Sequence, residues 1–252
     1  MTNPPRSTPT RNVVRDAKGR GDARRTFYVV LGLVVLIGVA ALAYTWRRAK
    51  DDTTAPPLAA NVAPSLDTLG YVRGSPTAPV EIIEFGDFEC PGCGEFATVA
   101  EPAIRRNITD AGLARFRFID LQVNQSHRNS PGASVAAACA NEQGKFWEMH
   151  DRIFAGQAEW SSTAITVPKP VFQRYAEAIG LDMKAWESCY DAQRHFDKLA
   201  TNADAARRIG LRYTPSLYIG KRVLIGSQPY VVVKAVVDSA VAEAKAGTPG
   251  RP

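Results

Sequence analysis

A chain of 252 residues that is 45% hydrophobic and 22% charged can bury one good core with an added subdomain. Its 31 Lys and Arg against 25 Asp and Glu give a net charge of +6, but ten of those basic residues and only two acids lie in residues 1–50. The rest of the chain carries a net of −2, which argues against nucleic-acid binding.

Residues 1–26 are polar, contain prolines and arginines without periodicity, and read as a disordered tail. Residues 27–46, Phe27 to Trp46, form an uncharged stretch of 20 residues, the length of a bilayer span. Arg24 and Arg25 precede it, with Arg11, Arg15, Lys18 and Arg20 among the basic residues further upstream, and Arg47, Arg48 and Lys50 follow it. The positive-inside rule then puts the N-terminus in the cytoplasm and everything after the span outside. A signal peptide cleaved near Ala43 is the competing reading, since Ala41-Leu42-Ala43 resembles a cleavage site. The long basic lead and the full spanning length favour a retained anchor. Either way the cysteines are exported to a compartment where disulfides persist. Residues 47–75 read as a tether, with Leu66, Leu69, Tyr71 and Val72 available for a short lead-in strand.

Pro79 to Phe85 reads as a buried strand, and Glu95 to Glu101 has helical composition. Between them, Cys90-Pro91-Gly92-Cys93 places two cysteines where a strand hands over to a helix. Cys90 would sit at the helix N-terminus, where unpaired N–H groups and the macrodipole favour a thiolate. Cys93, three residues on, can close on it. Half of a zinc site or an inert disulfide would use the same residues, but zinc needs a second pair at comparable spacing, and none exists. Redox chemistry is the stronger reading.

Leu113 to Asp120 alternates apolar and basic residues as a half-buried strand does. A long helical stretch follows. Phe146, Met149, His150 and Ile153 share one helical face, and Phe172, Tyr175, Ala176 and Ile179 share another. Asp182 suits the N-cap of a helix carrying Trp186, Cys189 and Tyr190, and Phe196, Leu199, Ala203 and Ala206 mark one more. Ser216–Ile219 and Arg222–Ile225 form a hairpin across Gly220-Lys221, and Pro229 to Ala246 a closing helix. His127, His150 and His195 lack metal-ligand spacing, so no metal is expected; they and Trp147, Trp160 and Trp186 read as ordinary core or surface residues. Asp87 and Glu89 flank the cysteines, with an effect that has no sign from sequence.

Gly74-Ser-Pro-Thr-Ala-Pro-Val80, Phe85 to Cys93, Asn141-Glu-Gln-Gly-Lys-Phe-Trp147 and Gly210 to Gly220 together resemble the thioredoxin superfamily, in its membrane-anchored, DsbA-like bacterial branch. The resemblance implies an α/β thioredoxin fold with a helical insertion, preceded by a single N-terminal transmembrane helix. Its divisions would be a first half over 76–125, the insertion over 126–200, a second half over 201–246 and a tail over 247–252. It implies that Cys90 is the exposed nucleophile, Cys93 the buried resolving cysteine, and Glu84 a buried acid that serves Cys93. An edge-exposed strand carboxylate is the alternative for Glu84. It further implies that Thr214-Pro215 is the loop that faces the pair and binds extended substrate, with a cis proline, and that Cys139 and Cys189 form a structural disulfide. Two free buried thiols are the alternative for that pair.

The activity implied is a cofactor-free thiol:disulfide oxidoreductase that forms disulfides in reduced or misoxidised exported proteins. A membrane partner of the DsbB or vitamin-K-epoxide-reductase type would reoxidise it. One position departs from the strong oxidases of that family: Gly92 stands where they often carry histidine. That departure motivates a second reading, a reductase or isomerase supplied by a membrane electron donor. A third is a tethered chaperone that binds without turnover.

Overall fold

The computed structural model describes residues 19–51 and 66–247. They belong to two separate compact units. The first contains helix α1, Gly19–Asp51. Within it Arg25–Tyr44 has a mean hydropathy of 2.6 and is long and apolar enough to cross a membrane. Phe27, Leu31 and Val35 are among its exposed apolar side chains.

The second unit is a five-stranded mixed sheet with helices on both faces. The strands are β1 (Tyr71–Arg73), β2 (Glu81–Gly86), β3 (Arg115–Asp120), β4 (Ser216–Ile219) and β5 (Arg222–Ile225), in the order β1-β3-β2-β4-β5. Central β2 runs parallel to β3 and antiparallel to β4, and β1 and β5 close the edges antiparallel. A parallel β2–β3 pair needs a helical crossover, and residues 91–109 (α2) supply it. The sheet reaches further back than residue 76. Leu66 is buried, and Arg117 donates to the carbonyls of Asp67 and Leu69 at 2.9 and 2.7 Å, tying the lead-in segment to β3. The expected tether therefore gives way to folded chain by Leu66.

Helix α2 is irregular: α-helical Pro91–Glu95 and Glu101–Ile104 alternate with π-helical Phe96–Ala100 and Arg105–Thr109. Pro102 accounts for the first wide turn. It has no N–H to donate, and its ring clashes with the carbonyl four residues back. A π turn closed by the Glu101 N–H on Phe96 O accommodates it.

Between β3 and β4 lie α3 (Ser130–Asn141), α4 (Phe146–Ala155), α5 (Gln157–Trp160), α6 (Lys169–Ala178), α7 (Met183–Asp191) and α8 (Phe196–Arg208); α9 (Tyr230–Ala246) ends the domain. The Phe146, Met149, His150 and Ile153 face is fully buried, and Asp182 caps α7 by accepting from the Ala185 N–H at 3.1 Å. On α8 the buried set differs from the expected one: Asn202, Ala205 and Ala206 are buried while Phe196 is 49% exposed. The helix is turned because Asn202 donates to the carbonyl and carboxylate of Asp120 at the end of β3.

Strand alternation divides the core. Ile82 faces the larger cluster with Phe96, Ile104, Phe118, Met149 and Val237, while Ile83 and Phe85 face a smaller one with Leu66, Ile119, Ala206 and Tyr218. Glu84 shares the Ile82 face and is therefore directed into the larger cluster.

Candidate active site

The site is built where β2 ends. After Gly86 the chain turns, with the Cys90 N–H on Asp87 O at 3.0 Å, and Pro91 begins α2, a position that needs no N–H. Cys90 is the N-cap, in extended conformation, and its own carbonyl accepts from the Gly94 N–H at 3.0 Å. Both cysteines are free thiols; Cys93 is fully buried and Cys90 only in part.

Opposite Cys90 lies the loop before β4. The Thr214–Pro215 peptide is cis. The Cys90 thiol donates to Thr214 O at 3.4 Å, and the Gly226 N–H holds Pro215 O at 2.8 Å. Gly92 lies under the same loop: a Cβ there would be 3.4 Å from Pro215 Cδ and 3.9 Å from Cys90 Sγ, ordinary contacts that leave room for a side chain.

These surroundings separate the two sulfurs. Cys90 is lowered to about 6, first by a hydrogen bond from the Cys93 thiol, then, against the opposing effect of burial, by the N–H of Cys93, the Thr214 side chain and the N–H of Gly92. Cys93 is raised well above a normal thiol, chiefly by burial and then by the neighbouring Cys90, although the Asp87 N–H donates to its sulfur at 3.3 Å. One sulfur is poised as an anion and the other is held neutral. That division suits a nucleophile and a resolving thiol.

Glu84 is fully buried, and neither carboxylate oxygen has a hydrogen-bond partner. Burial first, then Glu101, raises its pKa well above the ordinary carboxylate range, opposed by Arg105. It also interacts electrostatically with both sulfurs. A neutral buried acid beside a buried thiol can exchange a proton with it.

Asp87 and Glu89 anchor the cysteine loop to the insertion. Glu89 Oε2 accepts from the N–H groups of Asn129 and Ser130 at 2.8 and 3.0 Å, capping α3 from outside, and its Oε1 accepts from the Ser162 N–H. Asp87 accepts from Ser130 Oγ and lies 2.8 Å from His127 Nδ1. Gln157 donates to the carbonyls of Phe88 and Cys90. A cleft of about 450 Å³ opens beside Pro91 and Glu89, lined also by His127, Arg128, Gln157 and Ser162. Sequence reasoning missed Gln157 and the anchoring role of the two acids. Their partners are 40 or more residues away, and only the two acids just before Cys90 hinted at it.

Cys139 on α3 and Cys189 on α7 form a disulfide, with 5.8 Å between Cα atoms. His195 and Arg194 lie beside it through Glu142, which both contact.

A family model described as Thioredoxin matches residues 67–239. Disulfide bond formation protein D of Bacillus subtilis is 23% identical over 172 residues, 66% of this chain and 75% of that protein. Na(+)/H(+) antiporter NhaA 3 of Salinispora tropica is 34% identical over 175 residues, 69% of this chain but only 25% of the antiporter. The chain thus spans about a quarter of the length of that relative. The crystal structure of oxidised BdbD from Bacillus subtilis superposes with a TM-score of 0.62 at 20% identity, covering 75% of this chain and 98% of that one. The chain belongs to the thioredoxin family, and its domain shares the fold of BdbD.

Proposed function

We propose that this protein is an exported thiol:disulfide oxidoreductase, tethered by α1, that forms disulfides in exported proteins through Cys90 and Cys93. The observation that carries the reading is the Cys90 sulfur: half-buried at a helix start, facing Thr214 O, and lowered to about 6 above a buried, neutral Cys93. A stabilised thiolate favours the reduced form of the enzyme, and so makes its disulfide a better oxidant. A substrate thiolate attacks Cys90 of the disulfide and Cys93 leaves, taking a proton from Glu84. A second substrate thiolate then attacks the substrate sulfur of the mixed disulfide, and Cys90 leaves as thiolate. The substrate is oxidised by two electrons and the enzyme is left as the dithiol. The backbone of Thr214, beside the cis Pro215, is the place for an extended substrate segment.

The tether rests on the apolar stretch Arg25–Tyr44 of α1, and the extracytoplasmic location on the basic residues that precede it. A quinone-linked membrane oxidase would return the pair to its disulfide. Gly92 favours a second reading, a reductase or isomerase fed by a membrane electron donor, because no cationic side chain faces Cys90 from that position.

The test uses the full chain in detergent with a reduced two-cysteine peptide. Oxidised enzyme should convert the peptide stoichiometrically, Cys90→Ser should be inert, and Cys93→Ser, given the oxidised peptide instead, should trap a mixed disulfide at Cys90 with release of one peptide thiolate. Peptide oxidation by Cys90→Ser at the wild-type rate would sink the mechanism. Retained chaperone activity after Cys90 alkylation, without any thiol exchange, would favour a binding protein.

A further inference from the structure

Next to the reactive pair lies a group of buried charged side chains that dithiol exchange, as described so far, leaves unused. Glu101 and Arg105 lie on α2, His150 and Asp151 on α4. Both oxygens of Glu84, Oε2 of Glu101 and Nε2 of His150 are buried without a hydrogen-bond partner. Buried polar atoms are nearly always paired, so a group of unpaired atoms on three packed elements calls for a cause.

The partnered atoms show how the group is held. Glu101 Oε1 accepts from Arg105 Nε at 2.8 Å, which leaves Oε2 to face His150 Nε2 at 3.9 Å. The other ring nitrogen, His150 Nδ1, is 2.9 Å from Asp151 Oδ1 and accepts from Arg105 Nη2 at 3.1 Å, and the Asp151 side chain is 55% exposed. Arg105 also donates to Asp151 Oδ2 at 2.9 Å and lies 4.6 Å from the Trp147 ring centroid. The His150 ring is fixed among Phe88, Phe118 and Phe154. At the inner end, Glu101 repels a charge on Glu84, and Glu84 acts in turn on Cys93. The charges thus run from a sealed interior to the surface in one direction.

We propose that Glu101 and His150 form a proton route between Glu84, beside Cys93, and solvent at Asp151. The inference rests on the oxidoreductase reading above and extends it. When substrate attacks Cys90, the Cys90–Cys93 bond breaks and Cys93 leaves as a thiolate with no access to water. Glu84 gives it a proton and becomes a carboxylate. That carboxylate is made neutral again by a proton passed from solvent through Asp151, the two nitrogens of His150 and Glu101 Oε2. A shift of under 1 Å brings the Glu101–His150 contact within hydrogen-bond distance. Reoxidation runs the same transfers backwards, so proton and electron counts balance in each half-reaction. Arg105 holds Glu101 and Asp151 in place without carrying a proton. Glu101 and His150 act through Glu84 and are positioning residues for its proton.

The test measures the rate at which a reduced two-cysteine peptide reduces the Cys90–Cys93 disulfide in the full chain, in water and in deuterium oxide, from pH 5 to 8. His150→Phe fits the aromatic surroundings and removes both nitrogens; Asp151→Asn alters only the exposed end. The expected result is a fall of about tenfold for His150→Phe and about threefold for Asp151→Asn. Each should show a larger solvent isotope effect than wild type, with an unchanged equilibrium potential and an unchanged Cys90 titration. Rates within twofold of wild type in both variants would overturn the route. So would a loss of rate matched by a shift in potential, which marks a structural role. A wild-type disulfide that the peptide cannot reduce would instead overturn the oxidoreductase reading, and the route with it.

Discussion

Cys90 draws its acidity from neutral neighbours, namely the Cys93 thiol, two backbone N–H groups and Thr214, rather than from a cation. Its folded value lies below that of an unfolded thiol, about 8.5. The reduced domain therefore gains stability from Cys90 that is complete above that value and is lost as the pH falls through about 6. Urea unfolding of the reduced and oxidised full chain should show the reduced form losing ground between pH 8 and pH 5; a constant difference would contradict a lowered Cys90. Gly92 leaves space for a stronger device. Gly92→His would place an imidazole near the sulfur and should lower Cys90 further, raising the potential by roughly 30 mV for each pKa unit. Glu84 carries the opposite sign: its raised value means that stability present at low pH is lost as the pH rises through the ordinary carboxylate range and up to that raised value. Glu84→Gln should therefore stabilise the domain by roughly 1–3 kcal/mol at pH 7 while slowing Cys93 exchange, a trade of function against stability. Cys90 and Cys93 stand out in the sequence because their chemistry depends on local spacing, whereas Pro215 is singled out only by the family resemblance. The state of Glu84 does not, because strand alternation leaves its face ambiguous until β2 is seen at the centre of the sheet.

At the scale of elements, the cysteine loop is held less by its own turn than by the insertion. Glu89 accepts three backbone N–H groups from two distant segments, those of Asn129, Ser130 and Ser162. Glu89→Ala would leave these donors without a partner and should cost about 2–4 kcal/mol in urea unfolding, with a rise in loop mobility by amide exchange. Loss below about 0.5 kcal/mol would mean that water replaces the carboxylate without penalty. Cys139→Ser with Cys189→Ser removes a link between α3 and α7 across 50 residues, which the chain-entropy model puts at about 4 kcal/mol. The helices themselves were legible, since the buried faces of α4, α6 and α7 repeat at 3–4 residue spacing. The turn of α8 and the wide turns of α2 were not: one depends on Asn202 finding Asp120, the other on how a helix absorbs Pro102.

For the whole molecule, the order strand, Cys-x-x-Cys, helix, strand, insertion, Thr-Pro, hairpin and helix was readable because each step has a local signature. The buried group around Glu101 and His150 was not, because its members come from three separate segments. A retained anchor at Arg25–Tyr44 predicts that the full chain stays in the membrane fraction through alkaline carbonate washing; a mature form starting just after Ala43 would show a cleaved signal instead. The central claim, that this fold arms an oxidant, is tested most directly by the equilibrium reduction potential of the Cys90–Cys93 pair, titrated in the full chain against glutathione with thiols counted by mass after alkylation. A lowered Cys90 above a neutral Cys93 predicts a value towards roughly −120 to −180 mV. A value near about −270 mV, the thioredoxin range, would contradict an oxidase and make a membrane electron donor the partner to seek.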